Sequence, residues 1–299
     1  MVRLIICIYI YLINFIFAIG SYEILNIPQD ASTLGLSNII KADNGALLTN
    51  NPATINIPYQ VNSYYYSFIP GNIHLFSFQK IIKKKRQIFP SKFTFLNYGK
   101  IIDSKSLQES YAYDLLLEAG YKKEFFKITS IGISAGYLIS NIVGYSSQVI
   151  FSKIGTRNHL LKKKLGIGFS IENCGFILKK YTNYSESLPI IYRMSIFYKP
   201  KYIPLTIHSN FIKKIENKTY YFIGGIELKS SQNFIIRLGF NSDRSKYYTN
   251  DLSFDLISGL SAGVTFVFNN KTIDLGFMNM GPAGTIIGFS IINKIKFIH

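Results

Sequence analysis

Between Tyr220 and Lys229 the residues alternate strictly. Tyr220, Phe222, Gly224, Ile226 and Leu228 fall on one face, and Tyr221, Ile223, Gly225, Glu227 and Lys229 on the other. After Ser230-Ser231-Gln232 the pattern resumes, with Phe234, Ile236, Leu238 and Phe240 opposite Ile235, Arg237, Gly239 and Asn241. A period of two is the spacing of a β-strand with unlike faces, and the short polar interruption reads as a hairpin loop. A second hairpin places Leu260, Ala262, Val264, Phe266 and Phe268 opposite Ser261, Gly263 and Thr265, turns at Asn269-Asn270, and returns through Ile273, Leu275 and Phe277 opposite Thr272, Asp274 and Gly276. Leu165 to Glu172 alternates in the same way. Further segments are expected near Val61–Ile69, Ile73–Gln79, Ile88–Tyr98, Tyr111–Tyr121, Ile128–Ile139, Ile190–Tyr198 and Ile203–Phe211.

The composition of the second face separates two kinds of β protein. In a soluble sandwich the outer face is rich in Lys, Glu and Thr. Here it holds Gly, Ser and isolated charges such as Glu118, Glu172, Arg193, Glu227, Arg237 and Asp274. Small and charged residues toward a lumen, with apolar residues toward lipid, make the pattern of a transmembrane β-barrel. The 22 Tyr and 24 Phe, clustered at Tyr64-Tyr65-Tyr66, Tyr220-Tyr221 and Tyr247-Tyr248, fit interfacial girdles, although Trp is absent. At about 17 residues per strand and connection, the roughly 240 residues beyond the leading segments give about 14 strands and a lumen wider than side chains alone can fill. The competing architecture is an exported soluble sandwich, in which so many apolar faces are hard to cover with one two-layer core.

Residues 1–20 read as a signal peptide. Arg3 precedes an apolar run from Leu4 to Phe17, and Ala18 and Gly20 supply the small residues of a cleavage site before Ser21. The run is short for a membrane-spanning helix, which needs about 20 residues. Cleavage removes Cys7 and leaves Cys174 as the single thiol, so no intramolecular disulfide is expected. Residues 21–57 do not alternate and form a separate lead, ahead of a barrel over residues 58–299.

The lead contains Leu34-Gly35-Leu36, Ala42 followed by Ala46-Leu47, and Asn51-Pro52-Ala53 just before the first strand. Further pieces follow in order: Asn97-Tyr98-Gly99; Gly136 to Ser140 with Gly144 to Ser147; Glu172-Asn173-Cys174-Gly175; Leu188-Pro189 with Arg193; Gly225-Ile226-Glu227; Ile236 to Asn241; and Gly259 to Gly263. Together these resemble the PorV/PorQ family of outer-membrane proteins, themselves similar to FadL-type barrels. Asn97-Tyr98-Gly99 and Tyr145-Ser146-Ser147 look more like the PorQ branch. The chain departs from the family at Asp274-Leu275 and in ending on His299 rather than on an aromatic residue.

The resemblance implies an outer-membrane barrel of fourteen strands, associated with type IX secretion and handling or anchoring exported cargo, with no catalysis and no cofactor. It also implies that residues 21–57 form a plug, with Gly35, Asp43, Asn51, Pro52 and Ala53 as its motif. Pro52 is then expected to end any plug helix. The related FadL-type barrels suggest an alternative, the passive transport of hydrophobic small molecules.

Catalytic readings fail on context. Gly259-Leu260-Ser261-Ala262-Gly263 and Gly132-Ile133-Ser134-Ala135-Gly136 match the nucleophile-elbow string, but that elbow needs a strand, turn and helix, and both serines lie within alternating strands. His74, His159, His208 and His299 show no metal-ligand spacing and are expected in loops or the lumen. Without Arg3, 32 Lys and Arg face 16 Asp and Glu, a formal charge of +16. The clusters Lys83-Lys84-Lys85-Arg86, Lys162-Lys163-Lys164 and Lys213-Lys214 fall between strands, where they would meet anionic lipid, acidic cargo or plain solvent. Nucleic acid is a poor partner, since no basic helix or binding module is present.

The sequence therefore predicts an all-β transmembrane antiparallel β-barrel of about 14 strands with an N-terminal plug. It is expected at the bacterial outer membrane among outer-membrane lipids, without enzymatic, metal or cofactor chemistry. Glu172, Arg193, Glu227, Arg237 and Asp274 are expected to face the lumen, and most other inward positions to be Gly or Ser. Phe222 and Leu238 are expected to face lipid, and Ser261→Ala to be silent.

Overall fold

The computed structural model describes residues 22–295 apart from 44, 46, 103–108, 126–127, 183–186, 217, 244–254 and 256. The expected signal peptide and Tyr247-Tyr248 lie outside the described residues. Fourteen strands are found among those described: β1 Gln60–Ile69, β2 Ile73–Lys84, β3 Gln87–Ile102, β4 Glu109–Phe125, β5 Thr129–Ile142, β6 Tyr145–Leu160, β7 Leu165–Lys179, β8 Ile191–Tyr198, β9 Leu205–Lys214, β10 Tyr220–Lys229, β11 Phe234–Asn241, β12 Leu260–Phe268, β13 Lys271–Asn279 and β14 Thr285–Ile295. Each pairs antiparallel with its neighbours in sequence, and β1 closes on β14 through Tyr64 opposite Ile291. Closure removes the two edges that an open sheet would leave unpaired. Among the described residues no helix is long and apolar enough to cross a membrane.

The alternation read from the sequence sets which way each side chain points. In β5, Ser130, Ser134, Leu138 and Ser140 are buried inside, while Ile131 and Ile133 are 46% and 47% exposed outside. Phe222 and Leu238 also point outward, exposed by 37% and 51%. Consecutive tyrosines divide between the faces: Tyr64 and Tyr66 are exposed outside, whereas Tyr65 is buried in the lumen. The girdle expected at that triplet therefore draws on two of its three rings.

Two strands, β6 and β14, are absent from the segments expected by alternation. In β6 the inward face carries Phe151, Lys153, Arg157 and His159, and the outward face includes Ser152, Thr156 and Asn158, so neither face is distinctively apolar. The register also shifts near Ser152, where Asn173 of β7 takes a φ of 62°. In β14, Ile286 and Ile292 face inward while Ile287 and Phe289 face outward, which erases the contrast.

The barrel has two ends. One, here the terminal end, carries the start of β1, the end of β14 and turns such as Lys85-Arg86 and Asn269-Asn270. The far end carries longer connections, including those between β7 and β8 and between β11 and β12.

Candidate functional site

The described residues between 22 and 57 run through the lumen and are held there by the inner wall. The lead begins with a single turn, Glu23–Leu25, followed by a short helix α1, Ala31–Leu34. Asp30 caps α1, its Oδ1 accepting from the Thr33 amide at 2.8 Å. Turns within the lead pair part of its backbone, as the Leu36 amide with the Thr33 carbonyl and the Gly45 amide with the Thr54 carbonyl, and wall side chains satisfy further groups. Ser290 Oγ accepts from the Ala31 amide (2.9 Å), Asn210 Oδ1 from the Ile40 amide (2.8 Å), and Gln79 Oε1 from the Leu48 amide (2.9 Å). Arg157 donates to the carbonyls of Asp43 and Thr54 at 3.0 and 3.1 Å.

The motif residues sit on these contacts. Gly35 packs so closely on β12 that a Cβ would lie 2.8 Å from Gly263 Cα. Asn51, fully buried, donates to the carbonyls of Thr156 and Phe169, each at 3.2 Å. The Ala53 carbonyl accepts from Ser130 Oγ at 2.9 Å. Asp43 Oδ2 pairs with Lys199 at 2.9 Å. Burial pushes the Asp43 carboxyl up, but His208, Lys199 and Lys41 outweigh that effect and hold it below its ordinary range. Pro52 differs from expectation: it opens the 3-10 turn Pro52–Thr54 instead of ending a helix. Its fixed φ and missing N–H suit the first position of such a turn, and Asn51 supplies the cap.

The inward charges are paired rather than isolated. Glu172 receives two hydrogen bonds from Arg193, Nε to Oε1 at 2.8 Å and Nη2 to Oε2 at 3.2 Å, and both side chains are almost fully buried. Arg237 bridges Glu227 (2.6 Å) and Asp274 (3.2 Å). Glu118 accepts from Lys92 at 2.8 Å and Lys153 at 3.0 Å through Oε2, and from Ser134 at 2.7 Å through Oε1. Charges taken from water need this pairing, because an uncompensated one costs several kcal/mol. Ser261 Oγ lies 2.8 Å from Ser37 Oγ of the lead. Ser261→Ala is therefore expected to weaken lead docking by about 1 kcal/mol rather than to be silent, as read from the urea midpoint of the folded barrel.

Toward the far end the lining changes character. Leu75, Leu96, Leu116, Leu138 and Val149 point inward and pack on Tyr22, Ile24 and Leu25. Ile191, Ile212 and Ile223 continue this collar against Leu36 and Ile39. The expectation that inward positions are mostly Gly or Ser fails here. Apolar stretches such as Leu115-Leu116-Leu117 present the same residue type to both faces, so a period-two reading finds no inward signal in them.

Between the lead and β9–β14, toward the terminal end, lies a polar chamber of about 350 Å³, lined by Lys41, Asp43, Lys199, Glu227, Arg237 and Asp274 among others. Beside it Asp43, His208 and Glu227 come together, with donor atoms within 4.8 Å of one another. No spacing in the sequence signals this, since the three come from the lead, β9 and β10. Ser134 and Ser261 lie within β5 and β12, not at the strand-to-helix turn that a nucleophile elbow needs.

No protein-family model and no curated protein sequence matches the chain. Among solved structures, it resembles the toluene transporter TbuX of Ralstonia pickettii (11% identity, 89% of this chain and 98% of that one, TM-score 0.59). It also resembles the toluene transporter TodX of Pseudomonas putida (10%, 88% and 96%, TM-score 0.58) and a FadL homologue of Pseudomonas aeruginosa (10%, 90% and 99%, TM-score 0.52). At these identities the likeness is one of fold, that of FadL-like barrels.

Proposed function

We propose that the chain is a non-enzymatic outer-membrane barrel that admits small hydrophobic molecules at the far end and passes them through its lumen by rearrangement of the lead, which acts as a plug. The observation that carries this reading is the apolar collar of Leu75, Leu96, Leu116, Leu138 and Val149, closed by Tyr22, Ile24 and Leu25. A hydrophobic solute gains about 25 cal/mol for each Å² of apolar surface it buries, and it can do so here in place of these three side chains. The fold likeness to two toluene transporters supports the solute class. The longer connections suit the far end to the cell exterior, and the apolar leader at residues 1–20 suits export. Association with type IX secretion, implied by the PorV/PorQ resemblance, is supported less well than transport by the fold likeness to TbuX and TodX and takes second place.

Toluene uptake into vesicles carrying the purified barrel tests the proposal. Uptake above that of empty vesicles is expected, falling at least about tenfold in Leu116→Asp, because a carboxylate in the collar replaces apolar contact with a hydrated charge. Equal uptake with and without the barrel would remove the solute reading.

A bilayer also accounts for the outer surface, where Phe76, Phe169, Phe211, Leu238 and Phe277 are each 42–51% exposed. Phe222→Asp or Leu238→Asp is expected to cost about 3 kcal/mol, from lost apolar transfer plus a charge facing lipid, and to reduce assembly. The measurement is the fraction migrating as a compact, unboiled band on a gel. Normal assembly of both variants would contradict the assignment of that face to lipid.

A further inference from the structure

At the edge of the chamber lies a cluster that the transport reading does not use. Asp43 reaches it from the plug, His208 from β9 and Glu227 from β10, with donor atoms within 4.8 Å. Neighbouring cations grip only the outer oxygens: Lys199 takes Asp43 Oδ2 at 2.9 Å, and Lys41 and Arg237 take Glu227 Oε1 at 3.2 and 2.6 Å. On the inner side, His208 Nε2 and Glu227 Oε2 hydrogen-bond to each other. Asp43 Oδ1 and His208 Nδ1 are buried and have no hydrogen-bond partner, in residues only 7% and 1% exposed. Leaving the Asp43 oxygen buried and unsatisfied costs roughly 1–3 kcal/mol, and a cation reaching it would recover that cost.

We propose that Asp43, His208 and Glu227 bind one divalent transition-metal cation, which ties the plug to the barrel wall. One imidazole nitrogen and two carboxylate oxygens form a three-ligand set that suits Zn2+, and the adjoining chamber has room for a water in the fourth position. His208 Nε2 and Glu227 Oε2, joined by a hydrogen bond of 2.9 Å, would part to about 3.4 Å to become two tetrahedral donors that each lie about 2.1 Å from one ion. Asp274 lines the same chamber, so the surroundings hold carboxylate charge to set against Lys41, Lys199 and Arg237. The outer contacts of Lys199 and Arg237 would then orient the two carboxylates as metal ligands, as outer groups do in known metal sites. The inference does not rest on the solute that the barrel carries.

The test uses untagged, detergent-solubilised barrel, stripped with chelator, incubated with micromolar Zn2+ and passed through gel filtration before elemental analysis. One Zn2+ per chain is expected. His208→Ala and Asp43→Asn should each weaken binding by about 100-fold or more, whereas Tyr202→Ala, at an exposed residue outside the cluster, should keep the ion. The compact unboiled band certifies that each variant is folded. No retained Zn2+ in the parent protein would overturn the site. So would one equivalent retained by both folded ligand variants, since the ion would then lie elsewhere.

Discussion

Glu118→Ala is expected to be the most destabilising single substitution in the barrel wall, lowering stability by about 3–5 kcal/mol. Glu118 is fully buried and is the shared partner of Lys92 and Lys153, whose side chains are each 2% exposed. Removing the carboxylate leaves two ammonium groups facing each other across the space it occupied, and neither has water to turn to. The pair comes from β3 and β6, on either side of Glu118 in β4, so the loss reaches across four strands. Urea unfolding of the detergent-solubilised barrel measures it as a lower midpoint at unchanged slope. Adding Lys153→Met to Glu118→Ala should recover part of the loss, because one unpaired charge is then gone. A single variant as stable as the parent would show that the lysines find other partners.

Gly132→Val and Gly276→Val are expected to loosen the plug while leaving the barrel closed. A Cβ at Gly132 would lie 2.5 Å from the Ala53 nitrogen, and one at Gly276 would lie 2.3 Å from the Ala31 carbonyl oxygen. Both contacts are with plug backbone, which cannot swing aside as a side chain can. Each overlap costs about 1–3 kcal/mol, and the two sites press on opposite ends of the plug, so the double variant should feel both. In planar bilayers the parent should conduct little, since its lumen is filled, and the double variant should show frequent large openings. Limited proteolysis should cut residues 22–57 of the double variant alone. A double variant as quiet and as protected as the parent would mean that the plug tolerates displacement without leaving its seat.

The barrel itself was legible in the sequence because its cause is local. Residues such as Phe222 and Leu238 repeat every second position, and that period survives whatever the rest of the chain does. It failed where a strand's two faces are alike, as in β6 and β14, since alternation carries information only through contrast. Glu172, Arg193, Glu227, Arg237 and Asp274 could be read as inward charges from the strands that hold them. Their partners could not, because register between strands depends on closure, which no single segment encodes. Asn51 and Ala53 were recognisable as a motif, but their contacts with Thr156 and Ser130 cross about 80 to 100 residues of chain and exist only once the wall surrounds the plug.

The sequence by itself determined that this chain must enclose something: apolar and small faces in alternation, a total length that suits about 14 strands, and a lead that does not alternate. Tertiary structure alone decided what is enclosed. It split the lumen into an apolar collar and a charged chamber, seated Tyr22 and Leu25 in the first, and brought Asp43, His208 and Glu227 together beside the second. The physical reason is that alternation fixes only the side of the sheet on which a residue lies. Its height in the barrel and its neighbour across the lumen follow from shear and closure, which belong to all fourteen strands at once.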